Sequence, residues 1–247
     1  MMTDSKIPLM VMIPTYNESK NILLLIEKLL SVDPSLHVVV VDDDSPDGTW
    51  RMVKEASGKD PRIHLIHRIG KKGRGSAGIE GFQYAIAKEA GVIVEMDSDF
   101  SHNPAYIASF LKEIGNVDIV IGSRAVEGGG ETGRGVLRKW ITRGANLYIR
   151  VILGLKVKDC TSGYRMFRRK ALEEVNLESL ISNGPSIVQE ILYKAHLKRF
   201  SMKEVPILFE ERAAGQSTFN VKIMLNSLYM VPKFRFIYRS YVQKTAL

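Results

Sequence analysis

The chain has 247 residues, of which 45% are apolar, 25% charged and 8% aromatic, and its 35 Lys and Arg outnumber its 27 Asp and Glu. This length and apolar content exclude a disordered or fibrous chain and suit one domain or two small ones. A lone cysteine, Cys160, excludes an intramolecular disulfide and, with no Cys/His cluster, a structural zinc site, which fits a reducing compartment.

The first residues pass from one lysine through a short apolar run straight into a polar motif, so they read as a first strand and not as a secretory signal. Strands are predicted at 10–13, 38–41, 63–66, 92–96 and 118–121, alternating with helices at 21–30, 49–57, 77–90 and 104–114. In the first helix Ile22, Leu25, Ile26 and Leu29 share one face, and Ser19 is placed to cap it. Continuous β-branched strands separated by helices predict an α/β fold with a mostly parallel sheet flanked by helices on both faces. Beyond Arg124 the Gly-rich stretch 126–136 is predicted as a mobile loop, followed by a helix at 137–153. Short strands are expected within 157–172 and 201–210, then an amphipathic helical region over 221–239, bent near Pro232. Charged residues interrupt every long apolar stretch, so no bilayer-spanning segment is predicted.

A parallel sheet binds ligands beyond the carboxyl ends of its strands, and the polar clusters fall there. PTYNE (14–18), DDDSPDGT (42–49) and DSDFSH (97–102) each follow an apolar run. Asp97 and Asp99, projecting from a strand end, are either a site for a hard cation or an ordinary turn. His102 is a polar contact nearby or a surface histidine. Asp42, Asp43 and Asp44 require a cation or neighbouring donors to stay ionised, and serve a nucleotide or simply a turn. GKKGRGSAG (70–78) fits neither the Walker nor the GxGxxG dinucleotide pattern, which argues against a P-loop ATPase and a Rossmann dehydrogenase. It is an approach to a diphosphate or a flexible turn.

Residues 134–158 hold Arg134, Arg138, Lys139, Arg143, Arg150, Lys156 and Lys158 and no acidic residue. Residues 198–247 are also basic, with aromatic residues interleaved. Such surfaces meet nucleic acid, anionic lipid or a phosphate-bearing substrate, or are merely solvated.

The ordered set PTYNE, DDDSPDGT, KKGRGSAGIEGF, DSDFSHNP, SRAVEGG, TSGYRMF and ERAAGQST, spanning residues 14–218, resembles the polyprenol-phosphate hexose synthases of the inverting family-two glycosyltransferases. Within that family the resemblance is greatest to dolichol-phosphate mannose synthases of the type without transmembrane helices. It implies a single GT-A nucleotide-sugar-binding domain over 1–247, with a donor-binding half at about 7–125 and an acceptor and membrane-proximal half at about 126–247. The implied reaction is transfer of mannose from GDP-mannose to dolichyl or another polyprenyl phosphate, with inversion at the anomeric carbon. The alternatives are a UDP-glucose-dependent synthase or transfer onto a saccharide. A saccharide acceptor normally needs a carboxylate base, whereas the acceptor region here is basic.

By the same resemblance Pro14, Tyr16, Glu18, Asp42 and Asp43 surround the base and ribose, with Asp97, Ser98 and Asp99 at the sugar-diphosphate. Asp97, Asp99 and Ser101 hold Mg²⁺ or Mn²⁺, although some relatives have Gln where Ser101 stands. Asp97, Asp99 and Arg212 form the catalytic group, and Arg212 also contacts the donor. Arg124, Arg138 and Ser162 receive the acceptor phosphate. Thr218 stands where relatives carry a phosphate-binding lysine. The expected partners are a nucleotide-sugar, a polyprenyl phosphate, a membrane surface, and a small membrane protein or a second copy. The expected location is peripheral, on the cytoplasmic side of a membrane. No nucleic acid is expected, because strand-end aspartates repel phosphate unless metal bridges the two. Tyr164 and Arg165, taken alone, read as a core residue and a surface charge.

Overall fold

The computed structural model describes residues 8–70, 73–133, 135–210 and 221–244. Lys71, Lys72, Arg134, Arg212 and Thr218, named above, lie outside the described residues. Strands β1 (Leu9–Thr15), β2 (Leu36–Asp42), β3 (Ile63–His67), β4 (Val92–Glu95) and β5 (Ile119–Ser123) alternate with helices. These helices are α1 (Ile22–Leu30), α2 (Thr49–Ser57), α3 (Arg74–Ala87) and α4 (Tyr106–Ile114). The second half adds β6 (Gly130–Glu131), α5 (Val136–Leu153), β7 (Arg165–Arg168), α6 (Arg169–Val175) and α7 (Ile187–Leu197). It ends with β8 (Met202–Pro206), β9 (Leu208–Phe209) and α8 (Val221–Lys244).

Seven strands form one sheet in the order β3-β2-β1-β4-β7-β5-β8. All its neighbours run parallel except β7, which is antiparallel to both β4 and β5. Side chains alternate across a strand, so each strand feeds two cores. Met10, Met12, Val39, Val41, Ile93 and Phe167 pack with α3, α5, α6, α7 and α8. Val11, Ile13, Val38, Val40, Val94 and Met166 pack with α1, α2 and α4. The sheet is thus covered on both faces, as parallel strands require.

Three local expectations change. Ser19 does not cap α1: Asn21 holds the cap position without a side-chain capping bond, its amide donating to Glu18 Oε2 at 2.9 Å, and the Ser19 N–H donates to Asp47 Oδ2 at 3.0 Å. Helix α3 begins at Arg74, inside the stretch that glycine content marks as loop. Packing overrides propensity here. A Cβ at Gly81 would lie 2.3 Å from Met12 Cγ, so the glycine lets α3 settle onto β1. Finally, the 126–136 stretch contains β6, which pairs in parallel with β9 and ties the centre of the expected loop to residues 208–209.

Helix α8 continues through Pro232 and buries Val231, Phe234 and Tyr238, while Phe236 on its outer side is 85% exposed. Among the described residues no helix is long and apolar enough to cross a membrane.

Candidate functional site

In the β1–β2–β3 register Thr15 lies opposite Asp42 and Asp42 opposite His67, which brings the polar clusters to one level at the carboxyl edge. The first two clusters clamp each other. Backbone N–H groups of Asn17, Glu18 and Ser19 donate to Ser45 Oγ, Thr49 Oγ1 and Asp47 Oδ2 at 2.9, 2.9 and 3.0 Å. Asp42 is fully buried and accepts from Thr15 Oγ1 at 2.8 Å and from the N–H and hydroxyl of Ser45 at 2.8 and 2.7 Å. Three hydrogen-bond donors thus converge on this carboxylate. Asp43 pairs with Arg68 at 2.8 Å and accepts the Gly73 N–H at 2.7 Å, although burial pushes its carboxyl above the usual range. Asp44 pairs with His67 at 2.8 Å. Tyr16 stands exposed at the rim, and Pro14 and Glu18 are half-buried.

The DSD loop is built from its own short-range bonds. Asp99 is 2% exposed, and its Oδ1 accepts the Ser101 N–H at 3.1 Å and hydroxyl at 2.5 Å. Ser98 is buried. Asp97 is more open, and its backbone N–H donates to His102 Nδ1 at 3.0 Å. That bond needs an imidazole lone pair, and burial, the largest influence, holds the His102 pKa down so that the ring stays neutral. His102 stacks on Tyr164 with ring centres 4.9 Å apart and meets the edge of Phe209. It is thus a buried support for the loop, not a surface histidine.

Below the loop runs a chain of charges that the sequence reading misses. Arg165 is fully buried, so its reading as a surface charge is corrected: Nε donates to Glu95 Oε2 at 3.1 Å, Nη2 joins the same oxygen, and Nη1 donates to the Val188 carbonyl at 2.9 Å. Arg74 bridges Glu95 Oε1 at 3.3 Å and Asp97 Oδ1 at 2.8 Å. Gly163 leaves room for it, since a Cβ there would sit 2.7 Å from Arg74 Nη2. The usable signal was Glu95 itself: a carboxylate ending the apolar run VIV must find a partner when buried.

On the second side, Arg124 grips Asp159 through Nε and Nη2, both at 2.7 Å, and also reaches Thr161 at 2.7 Å and Glu131 at 3.4 Å. Burial raises the Asp159 carboxyl, but Arg124 outweighs it and the pKa lies below the usual range. Ser162 is buried, its Oγ accepting the Tyr164 N–H at 3.3 Å. Arg138 lies on the exposed side of α5. The structure therefore brings Asp97, Asp99, Ser101 and the Ser162–Gly163 turn together, and Gly73 with Arg74 links them to Asp43. Arg124 meets Asp159 beside this group.

Carboxylates suit Mg²⁺ or Mn²⁺, both hard cations. Among the described residues no three His, Cys, Asp or Glu side chains are grouped to hold a metal. Asp97 and Asp99 supply oxygen donors of the kind such a cation takes, two against the six that Mg²⁺ requires.

The sequence model of glycosyl transferase family 2 matches residues 10–175. Polyprenol monophosphomannose synthase of Mycolicibacterium smegmatis is 37% identical over 233 residues, covering 91% of this chain and 86% of that protein. Undecaprenyl-phosphate mannosyltransferase of Micrococcus luteus is 38% identical over 208 residues, covering 84% and 86%. Among solved structures, glucosyl-3-phosphoglycerate synthase from Mycobacterium tuberculosis, in complex with Mn²⁺, UDP and glucosyl-3-phosphoglycerate, superposes with a TM-score of 0.66 at 18% identity, covering 92% of this chain and 78% of that one.

Proposed function

The chain belongs to glycosyl transferase family 2, and from that premise we propose that it transfers mannose from GDP-mannose to a polyprenyl phosphate with inversion at the anomeric carbon. Its fold is of the GT-A type. The observation that carries the acceptor and sugar is the identity of 37% and 38%, over most of each chain, to two relatives named for mannosyl transfer to polyprenyl phosphates.

The chemistry suits the residues. An acceptor phosphate oxygen is already a nucleophile, so no histidine or carboxylate base is needed to form its bond to the anomeric carbon. The bond from that carbon to the nucleoside diphosphate breaks as the new one forms. Asp97 and Asp99 would hold Mg²⁺ or Mn²⁺, with Ser101 fixing Asp99, and the cation would offset charge on the leaving diphosphate. Arg212 and Arg138 contribute planar donors that pair with phosphate oxygens. Ser162 and the Arg124–Asp159 pair shape the acceptor side, while Pro14, Tyr16, Glu18, Asp42 and Asp43 form the nucleoside end.

The lipid acceptor calls for a membrane surface. Leu137, Trp140 and Val151 on α5 are 74%, 64% and 68% exposed, among Arg138, Lys139 and Arg143. On α8 Phe236 is exposed beside Lys233 and Arg235. Exposed apolar side chains ringed by cations favour an anionic bilayer surface. The protein is expected to sediment with anionic vesicles and to leave them as salt is raised. Recovery in the supernatant at all salt concentrations would overturn this docking.

The transfer is tested with purified protein, polyprenyl phosphate in vesicles, Mn²⁺ and either labelled GDP-mannose or labelled UDP-glucose. Label from GDP-mannose should enter the organic-extractable lipid. Label from UDP-glucose alone would replace the donor while keeping the acceptor, and label from neither would overturn the proposal.

A further inference from the structure

Arg74 has no part in the reaction as set out above, yet its guanidinium lies 2.8 Å from Asp97, one of the two carboxylates assigned to the cation. Three independent features hold it there. Glu95 takes its other nitrogen at 3.3 Å, and Glu95 is itself fixed by the buried Arg165. Gly163 leaves the space that the guanidinium occupies, because a Cβ would approach Nη2 to 2.7 Å. The backbone carrying Arg74 is pinned as well: Gly73 donates to Asp43, and a Cβ at Gly75 would lie 2.7 Å from the Asn183 carbonyl carbon. The Arg74 guanidinium stays charged at any working pH, facing the carboxylates of Asp97 and Glu95.

We propose that Arg74 is a positioning residue that prevents the Asp97–Asp99 pair from taking a divalent cation alone, so that the cation enters together with the nucleoside diphosphate. The inference rests on the glycosyl-transfer reading. A divalent ion at Asp97 meets a fixed positive charge and must compete with an ion pair already made. A diphosphate arriving with the ion brings the negative charge that balances Arg74, and its oxygens complete the coordination that two carboxylates leave open. Arg74 also holds the Asp97 carboxylate in one orientation before the donor arrives, which lowers the reorganisation needed on binding.

The test measures Mn²⁺ binding to the full chain by the electron paramagnetic resonance signal of free Mn²⁺, without nucleotide and with GDP or UDP. Arg74→Met removes the charge and keeps the stem, Arg74→Gln removes the charge with a polar tip, and Arg74→Lys keeps the charge. Thermal melting reports whether each is folded. Without nucleotide, Arg74→Met and Arg74→Gln should bind Mn²⁺ at least about tenfold more tightly than the parent. Arg74→Lys should match the parent, and with GDP or UDP the difference should shrink to about twofold. Equal affinities of the folded parent and folded charge-removing variants without nucleotide would overturn the inference and leave the functional reading intact. Failure of every protein to bind Mn²⁺ with either nucleotide would overturn both.

Discussion

Arg165→Met is expected to lower the unfolding free energy by about 3–5 kcal/mol, because it strands a buried carboxylate. Arg165 is 0% and Glu95 1% exposed, so neither charge has water to fall back on. The substitution also deprives the Val188 carbonyl of its donor. Arg74 would remain near Glu95, but at 3.3 Å and shared with Asp97, which compensates only in part. For a chain of this size the loss corresponds to a fall of about 10 °C in Tm, readable by thermal or urea melting. Arg165→Met combined with Glu95→Leu should recover much of it, because a pair of apolar side chains leaves no orphan charge. A single variant melting with the parent would show that the pair contributes nothing.

The second large effect is on turnover. Asp99→Ala should reduce mannosyl transfer by about 10³-fold or more, the scale expected when charge compensation for a leaving group is removed. Alanine also strips the Ser101 N–H and hydroxyl of their acceptor, at about 1 kcal/mol of stability. Asp99→Asn separates the two effects. It keeps an acceptor oxygen for Ser101 and loses the charge, so its melting should stay close to that of the parent while transfer falls as far as in the alanine variant. The measurement is kcat with GDP-mannose and a vesicle-borne polyprenyl phosphate, and full activity in a folded Asp99→Asn would remove Asp99 from the mechanism.

What the sequence makes legible follows from how local its causes are. Helix α2 spans 49–57, the range its periodicity predicts, since one apolar stripe and the Asp47–Gly48 turn before it are local features. Parallel strands carry their own signal as well, in unbroken β-branched runs with polar clusters at their carboxyl ends. The start of α3 was hidden because glycine speaks for a loop at short range, whereas close packing of Gly75 on Asn183 and of Gly81 on Met12, both distant in sequence, decides the matter. Glu95 at the end of VIV announces that a partner is needed, but Arg165 is 70 positions away and meets it only through the β4–β7 pairing, so nothing local says which residue that partner is. The same holds at the site. The DSD motif is visible as a motif, but Arg74 joins it from another element, and His102 becomes a support only once Tyr164 lies against its ring.

The placement of β7 has a consequence for how the chain is made. Ribosomal synthesis delivers β1 to β5 first, yet β4 and β5 do not touch in the sheet because a strand synthesised some forty residues later separates them. Until residues 165–168 emerge, β4 is an unpaired edge and β5 has no strand partner, since its other neighbour β8 follows later still. Those edges invite pairing with other chains, so the interval before β7 arrives is when the polypeptide is most exposed to aggregation and most in need of a chaperone. A cut near residue 125 would make that interval permanent, and the fragment should precipitate instead of folding as a small nucleotide-binding unit.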